Sequence, residues 1–528
     1  MRDNQKLVEH YKVVPRDIPS DKYNQMVFVG VRRAGKTFML YQKMQEMLAK
    51  DHDWSDMLYL NFEEERLYGF TLEDFDRILE CHQEMYNKRP MLFLDEIQEI
   101  DGWERFARRM ADSKYHIWLT GSNQKMLSKD IQARLGGRYM TREVYPYSFL
   151  EFLDANNIKV DKNSLFGIED KSSILRLWEE YLIWGGMPQI ASETAGSPVK
   201  RDYLSSTYRK IYLNDIASRT GIPANNFNLL RLLLKKMAES LHQPESYSNF
   251  RHVLSSVNGK IAPQTVTKYI EGSEDAWLIL RLRNLTASFG EKERSCKYYF
   301  IDNGFLNLQL INERGKLLEN AVALELFRRY GHDAENERVF FYRESVEVDF
   351  YVPEENLAVQ ASYTIHENQS TYDREVGALS KFVNFKPGCR RLIITNDESE
   401  IINDEHGQIE VIPLWKWSLE HELERSLGHT TPTRKVNLDP IVNAAIRLTN
   451  SLTPVSELTD REKGKILDFF SQFETADEKE RILNQVWNTA VRNPKTNTAG
   501  KWLDDAKVAL HDVVFGIDGP GWGQGLKP

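Results

Sequence analysis

Gly30-Val-Arg-Arg-Ala-Gly-Lys-Thr37 fits the pattern G-x-x-x-x-G-K-[S/T] at every position. The residues before it, Gln25-Met-Val-Phe-Val29, are apolar and β-rich, which predicts a buried strand. The residues after it, 38–50, repeat apolar side chains at helical spacing. A glycine-rich turn between a strand and a helix presents backbone N–H groups to phosphate. This stretch therefore predicts a phosphate-binding loop.

The side chains of this loop have separate expected roles. Lys36 is expected to reach the β- and γ-phosphates of a nucleotide, and the Thr37 hydroxyl to bind Mg²⁺. The nucleotide-binding residues that the motif predicts are Gly30, Val31, Arg32, Arg33, Ala34, Gly35, Lys36 and Thr37.

A second motif supplies the acids that such a loop requires. Met91-Leu-Phe-Leu-Asp-Glu96 is an apolar run that ends in two carboxylates. Ligands of open parallel sheets bind at the carboxyl ends of the strands. Asp95 is expected to hold Mg²⁺, and Glu96 to polarise the attacking water as a general base. The alternative is a strand that ends in a solvated acidic turn.

Two further runs, Met57-Leu-Tyr-Leu-Asn61 and His116-Ile-Trp-Leu-Thr120, predict additional strands of a parallel sheet. The second run is followed by Ser122 and Asn123, and either side chain is a candidate for contact with the γ-phosphate or the lytic water. A helix N-cap is the alternative role for both residues.

Arg134 and Arg138 follow in Gln132-Ala-Arg-Leu-Gly-Gly-Arg-Tyr139. An arginine at such a place can stabilise γ-phosphate charge in a neighbouring subunit, which requires a homo-oligomer. The alternative is an ordinary surface or sheet-capping arginine.

These residues together resemble a large group of uncharacterised prokaryotic AAA+ P-loop ATPases. The resemblance covers roughly residues 10–425. It rests on Arg32 and Arg33, Tyr59-Leu-Asn-Phe-Glu63, Leu94-Asp-Glu-Ile-Gln98, Thr120-Gly-Ser122, Leu135-Gly-Gly-Arg-Tyr139, Tyr147-Ser-Phe-Leu-Glu-Phe152 and Trp184-Gly-Gly-Met-Pro188. It implies ATP as the nucleotide, with Mg²⁺ as its metal. It also implies a helical lid, a winged-helix-like region and a domain similar to PD-(D/E)xK nucleases.

The predicted fold class is α/β, with an AAA+ type P-loop NTPase core built on a parallel sheet. The five expected regions are an ATPase core at 1–150, a helical lid at 151–225, a winged-helix-like region at 226–310, a nuclease-like α/β domain at 311–428 and a helical extension with a glycine-rich tail at 429–528.

The winged-helix-like region offers a hypothesis about double-stranded DNA. Its third predicted helix begins near Pro263, and in a DNA-binding version Gln264, Thr265, Thr267 and Lys268 face the major groove. Arg251 and Lys260 then contact phosphate. The alternative is a module that only packs against its neighbours.

The nuclease-like domain has an incomplete set of catalytic residues. A site of this type needs two acids for Mg²⁺ and a lysine near the attacking water. Asp349 occupies the first acid position, whereas Gln360 occupies the second and Ser362 the position of the lysine. Glu319 and Glu375 are candidate substitute acids, but the sequence predicts a degenerate site without nuclease activity.

Composition limits the remaining choices. The 528 residues carry a formal net charge of −9, which does not suggest a surface that is basic throughout. Three widely spaced cysteines, the lack of an apolar run long enough for a membrane span and a polar first segment predict a cytoplasmic protein. We therefore expect an ATPase coupled to DNA binding or remodelling. The alternatives are a nucleotide-gated oligomeric scaffold for protein partners and an ATP-coupled nuclease.

Overall fold

The structure is a computed structural model of the chain. It describes residues 2–17, 24–123, 126, 129–160, 168–191, 196–221, 227–288, 290, 295–332 and 337–426, and ten helical positions between 463 and 514. The chain forms two compact units, residues 1–429 and 430–528. All the elements named below belong to the first unit. The helices predicted beyond residue 430 lie outside the described residues, except for those ten positions.

A five-stranded sheet forms the amino-terminal part. Its strands are β1 (Gln25–Gly30), β2 (Met57–Asn61), β3 (Met91–Asp95), β4 (Ile117–Gly121) and β5 (Met140–Val144). The helices of this part are α1 (Arg2–His10), α2 (Lys36–Leu48), α3 (Asp74–Tyr86), α4 (Trp103–Asp112), α5 (Lys129–Leu135) and α6 (Phe149–Ala155). The strands are all parallel, in the order β2-β3-β4-β1-β5. Every residue of β3 and β4 is buried, so both faces of the sheet are covered, as a parallel sheet requires.

A helical part follows, with α7 (Ile168–Trp184), α8 (Pro188–Ala191), α9 (Ser197–Thr207) and α10 (Asn214–Thr220). A π-helical turn, Tyr208–Leu213, joins α9 to α10. The turn after α7 packs on the segment after β5, where the N–H of Tyr147 donates to the carbonyl of Gly186 at 2.7 Å. A Cβ on Gly186 would lie 2.2 Å from the carbonyl oxygen of Tyr147, so this close approach requires glycine.

Three helices and a small antiparallel sheet come next. They are α11 (Phe227–Glu239), β6 (Glu245–Ser246), α12 (Tyr247–Asn258), α13 (Pro263–Asp275), β7 (Ile279–Leu282) and β8 (Ser295–Phe300). The strand order is β6-β8-β7. Proline in the first turn of α13 suits a helix start because its missing N–H would have no helical partner there.

The last part of the first unit is a mixed sheet with helices. Its elements are α14 (Asn303–Asn307), α15 (Arg314–Tyr330), β9 (Phe340–Arg343), β10 (Glu347–Val352), β11 (Leu357–Ala361), α16 (Gln369–Phe382), β12 (Arg390–Thr395), β13 (Glu400–Asp404), β14 (Gly407–Pro413) and α17 (Leu414–Ser426). The strand order is β13-β14-β12-β11-β10-β9, and β12 is parallel to both of its neighbours. The eleven residues 317–327 of α15 are all buried, so the acids on this helix lie in the interior.

The predicted α/β fold class with a parallel sheet core is confirmed. Asp349 lies in the middle of β10. The strand continues because Phe350, Tyr351 and Val352 are buried and pair with β11.

Candidate active site

The loop between β1 and α2 contains two positions where the backbone determines the residue. A Cβ on Gly30 would lie 2.0 Å from the carbonyl oxygen of Val144 on β5. Gly35 has a φ of 97° and immediately precedes α2. Both positions therefore require glycine. The first N–H groups of α2 have no partner within the helix, which leaves them available to a phosphate group.

Lys36 is the first residue of α2, and only 3% of its side chain is exposed. Its Nζ donates to the carbonyl oxygens of Gly30 and Val31, both at 3.2 Å. The same atom lies 3.4 Å from Oε1 of Glu96. The ammonium group therefore links the loop to the acid that follows β3.

Glu96 lies in the turn after β3 with a left-handed backbone, φ 52° and ψ 48°. This conformation is uncommon for a residue other than glycine and is concentrated at functional sites. Its N–H donates to Oγ1 of Thr120 at 2.8 Å, and its Oε2 accepts from Nε2 of Gln98 at 2.7 Å. Burial acts to raise the pKa of Glu96, but the charge of Lys36 holds it below the ordinary value. The side chain is therefore a carboxylate that can accept a proton.

Asp95 is completely buried at the end of β3. Its Oδ2 accepts from the Thr37 hydroxyl at 2.8 Å and from the Tyr59 hydroxyl at 3.2 Å, and its Oδ1 accepts from Thr120. Burial raises the pKa of Asp95, and the neighbouring charge of Glu96 adds to this effect. Two adjacent acids thus have pKa values displaced in opposite directions, which is the arrangement by which neighbouring carboxyl groups take different roles.

Ser122 and Asn123 lie just beyond β4, at the same edge of the sheet. Ser122 is 2% exposed, and its Oγ lies 3.4 Å from the same Nε2 of Gln98 that donates to Glu96. Asn123 is half-buried. The structure therefore connects Ser122 to Glu96 through Gln98. Gln98 ends the motif Leu94-Asp-Glu-Ile-Gln98, but no role was predicted for it, because a glutamine after an acidic turn has no distinctive spacing.

The two arginines inside the loop contact the helical part. Nη2 of Arg32 lies 2.5 Å from Oε1 of Glu63, and its Nε lies 3.1 Å from Oδ2 of Asp215 on α10. Nη1 of Arg33 donates to the Tyr203 hydroxyl of α9 at 3.1 Å. The side chains of Arg32 and Arg33 therefore connect the loop to α10 and α9.

Arg134 and Arg138 both form ion pairs within the chain. Arg134 pairs with Glu104, and its side chain is 62% exposed. Nε of Arg138 lies 2.5 Å from Oδ1 of Asp112, and Nη1 donates to the carbonyl of Gly136 at 3.2 Å. A role for either arginine in a neighbouring subunit remains a prediction.

Arg16 is a contact of the loop that the sequence did not reveal. Its Nη1 donates to the carbonyl of Ala34 at 2.9 Å, and its Nη2 to the carbonyl of Tyr145 at 3.0 Å. Its Nε and Nη2 also bond the two carboxylate oxygens of Glu151 on α6, at 2.8 and 2.9 Å. Such a two-point pairing fixes direction as well as charge. Arg16 thereby joins the loop to the segment after β5.

A half-buried acid lies beyond this contact. Ser148, which caps α6, donates from Oγ to Oε2 of Glu422 on α17 at 2.9 Å. Removal from water raises the pKa of Glu422 to about 8, and the charges of Glu325 and Glu151 add to the rise. The carboxyl group is therefore largely protonated at neutral pH.

Replacing Glu422 by glutamine is expected to reduce the loss of stability at alkaline pH. The folded chain raises the pKa of this acid from 4.5 to about 8, so between these values the folded state binds more protons than the unfolded state. The free energy of unfolding therefore falls as the pH rises through this window. Urea unfolding should show that Glu422→Gln loses less stability than the wild type between about pH 6 and about pH 9, by on the order of 1 kcal/mol. Glu420→Gln on the same helix is the matched control, and equal losses in both variants would contradict the assignment.

The residues of the predicted degenerate nuclease site lie partly together. The N–H of Asp349 donates to Oε1 of Gln360 at 2.7 Å, and Nε2 of Gln360 donates to Oε2 of Glu375 at 2.8 Å. The Ser362 hydroxyl instead donates to the carbonyl of Thr364 at 2.9 Å. Glu319 lies on α15 and is connected to Asp349 by Lys297, a residue that sequence reasoning missed.

Two family models match parts of the chain. A family model described as an AAA domain matches residues 22–153, and one described as a domain of unknown function (DUF8612) matches residues 175–315. Uncharacterized protein MJ1544 of Methanocaldococcus jannaschii is 33% identical over 434 residues, which cover 79% of this chain and 94% of that protein. The chain belongs to the MJ1544 family. An uncharacterized protein of Haemophilus influenzae is 30% identical over 403 residues, covering 75% of this chain and 94% of that protein.

The solved structures that match this member of the MJ1544 family are less similar to it than the two relatives above. The Walker-type ATPase PABY2304 of Pyrococcus abyssi is 15% identical with a TM-score of 0.30, covering 58% of this chain and 100% of that chain. The ORC1 protein of Aeropyrum pernix in complex with DNA is 13% identical with a TM-score of 0.26, covering 62% and 93%. The assignment of an AAA-type ATPase domain therefore rests on the family match over residues 22–153, together with the parallel sheet and the phosphate-binding loop of the chain. Among the described residues, no helix is long and apolar enough to cross a membrane.

Proposed function

We propose that this chain is a Mg²⁺-dependent ATPase whose turnover is coupled to binding of double-stranded DNA. The observation that carries the ATPase assignment is the convergence of Lys36 on Glu96 at 3.4 Å, beside the Thr37–Asp95 hydrogen bond of 2.8 Å. A phosphate-binding lysine, two oxygen ligands for a cation and a carboxylate base thus lie at one edge of one sheet.

The residues at this edge fit a magnesium ion. Mg²⁺ prefers oxygen ligands, and the Thr37 hydroxyl and the Asp95 carboxyl group supply them side by side in a buried, acidic place. Thr37 and Asp95 would hold the ion, which neutralises charge on the phosphates when it is bound.

Glu96 acts as the general base in this proposal. A water molecule attacks the γ-phosphorus, gives a proton to the Glu96 carboxylate, and the bond from the γ-phosphorus to the bridging oxygen of ADP breaks. Lys36 turns from Glu96 to the incoming phosphate, which frees the carboxylate for water. Gln98 and Ser122 fix the direction of the Glu96 side chain through their shared hydrogen bonds.

DNA contact is assigned to one face of the part that contains α11, α12 and α13, which we propose is a winged-helix-like region. The side chains of Arg251, Lys260, Gln264 and Lys268 are exposed in this part of the chain, and Thr265 and Thr267 are half-exposed. Cations of this kind attract the phosphate backbone, and polar side chains on one helix suit base edges in the major groove. Because the net charge of the chain is −9, the attraction for DNA is expected at these residues and not over the whole surface.

The coupling is tested by ATP turnover with and without duplex DNA at about 50 mM salt, where phosphate contacts are strong. DNA should increase wild-type turnover, and Arg251→Ala/Lys268→Ala should lose the increase while its turnover without DNA is unchanged. Arg77→Ala/Lys159→Ala is the charge-matched control, because it also removes two exposed cations.

Turnover indifferent to DNA, together with no DNA binding at that salt, would refute the coupling. ATP-dependent homo-oligomers that ignore DNA would then support the scaffold function. We propose that residues 311–428 form a nuclease-like domain without nuclease activity. Metal-dependent cleavage that Asp349→Ala abolishes would instead support the ATP-coupled nuclease.

A further inference from the structure

A second cluster of buried charge lies away from the P-loop, where β8 meets α15 and β10. Nζ of Lys297 lies 2.9 Å from Oδ1 of Asp349, 3.6 Å from Oε1 of Glu319 and 3.7 Å from Oε1 of Glu347. The lysine side chain is 0% exposed. Burial opposes its charge, yet the surrounding carboxylates, Asp349 foremost, raise the pKa of Lys297 above its ordinary value. An ammonium group is thus held among three acids from two different elements.

Glu319 has partners on both of its oxygens. The Tyr299 hydroxyl donates to its Oε1 at 2.9 Å, and Nδ1 of His242 pairs with its Oε2. Burial alone would raise the pKa of Glu319, but Lys297 and His242 hold it below the ordinary value. Both oxygens of the Glu319 carboxylate therefore have hydrogen-bond or ion-pair partners among the side chains of the chain itself. A cation from outside would have to compete with these partners.

The resemblance to nucleases implies a Mg²⁺ ion near Asp349, and the residues present do not fit one. Oε1 of Gln360 accepts from the backbone of Asp349, so the amide oxygen is already used. The Ala361 N–H donates to Oδ2 of Asp349 at 3.1 Å, and Lys297 takes the other oxygen. In the described part of the chain, no group of three or more His, Cys, Asp or Glu side chains is arranged to hold a metal ion.

We infer that the ammonium group of Lys297 occupies the place of a divalent cation in this cluster, so that the acids around it form a metal-independent site. A second cation would have to enter beside a buried positive charge, which repels it and has no water to screen it. Removing the lysine takes the shared ammonium group away from Asp349, Glu319 and Glu347. Carboxylate oxygens grouped in this way are the ligands that Mg²⁺ or Mn²⁺ prefers.

The cluster also has a structural consequence. Lys297 and Tyr299 belong to β8, and His242 lies between α11 and β6, whereas Glu319 and Asp349 belong to α15 and β10. The ion pairs therefore join the proposed winged-helix-like region to the six-stranded sheet without a metal.

The test is a Mn²⁺ titration of the full chain in the absence of nucleotide, with free Mn²⁺ measured by its EPR signal. All samples carry Asp95→Asn, which removes the candidate cation ligand at the P-loop. The chain with Lys297 should bind no Mn²⁺ at Asp349, so adding Asp349→Asn should leave its titration unchanged. Lys297→Ala should gain about one Mn²⁺ per chain and melt at a higher temperature with the ion than without it. Lys297→Ala/Asp349→Asn should lose that gain.

Two results would overturn the inference. One is a Mn²⁺ site in the chain with Lys297 that Asp349→Asn abolishes, because that site holds a metal despite the lysine. The other is a folded Lys297→Ala chain, with the circular dichroism of its parent, that gains no Mn²⁺. If Lys297→Ala fails to fold, the first comparison still decides, since it uses only chains that retain the lysine.

Discussion

Glu96→Gln is expected to lower ATP turnover by ~100-fold or more while the chain still binds ATP. Glutamine has nearly the same shape as glutamate but cannot accept a proton from water. The carboxylate of Glu96 is kept ionised by Lys36, and its direction is fixed by Gln98. Phosphate release measures the loss of turnover, and equilibrium binding of a fluorescent ATP analogue measures the retained affinity.

The matched control is Glu99→Gln. Glu99 lies three residues further along the same turn and is exposed, so its substitution removes one negative charge without changing the buried group. It should keep turnover within about twofold of the wild type, since an exposed acid contributes little at this distance. Equal turnover in Glu96→Gln and the wild type would show that another group activates the water.

Lys36→Ala is expected to have the second large effect, a loss of affinity for ATP. The Lys36 side chain is 3% exposed, and its ammonium group lies 3.4 Å from Oε1 of Glu96. Its removal takes away the phosphate contact and leaves Glu96 buried without its partner, which adds repulsion toward an anionic nucleotide. We expect the dissociation constant for ATP to rise by ~10-fold or more, which corresponds to the loss of a charged hydrogen bond.

Lys50→Met serves as the control for this variant. Lys50 is an exposed lysine just after the end of α2, so the substitution removes the same charge from the same region without touching the loop. Its ATP affinity should equal that of the wild type. Unchanged affinity in Lys36→Ala, in a chain with the wild-type melting temperature, would place the phosphates elsewhere.

The sequence was sufficient for the core of the fold because its signals are local. Apolar runs that end in glycine or acids predicted β1, β3 and β4, and the spacing of the loop placed the start of α2. The carboxyl ends of parallel strands meet at one edge, so Lys36, Asp95 and Ser122 were expected to lie close together. The structure brings these three elements to the same edge.

What the sequence did not reveal depends on contacts between distant segments. Arg16 lies 135 positions from Glu151, and Lys297 lies 52 positions from Asp349. No periodicity or motif connects such pairs, because the folded topology alone brings them together. Ser362, at the position of the expected lysine, indicated that a positive charge is missing. In the structure Lys297, from another strand, supplies a positive charge next to Asp349. The available signal in the sequence was a lysine between Cys296 and Tyr298, within the apolar run of Ser295–Phe300. A lysine in such a run is expected to be buried with an acidic partner.

The left-handed backbone of Glu96 was likewise not predictable from the sequence. A positive φ at a residue with a side chain is not visible in the letters Asp-Glu-Ile-Gln, which also suit an ordinary acidic turn. The hydrogen bond from its N–H to Thr120 on the adjacent strand accounts for the conformation.

If Glu96 is the general base, the chain cleaves the ATP that it binds. A single-turnover measurement tests it most directly: radiolabelled ATP is bound to excess protein, Mg²⁺ is added, and the fraction converted to ADP is followed with time. We expect conversion of the bound ATP to ADP in the wild type and in Glu99→Gln, and retention of intact ATP in Glu96→Gln. Bound ATP that stays intact in the wild type, or that is converted at the wild-type rate in Glu96→Gln, would contradict it.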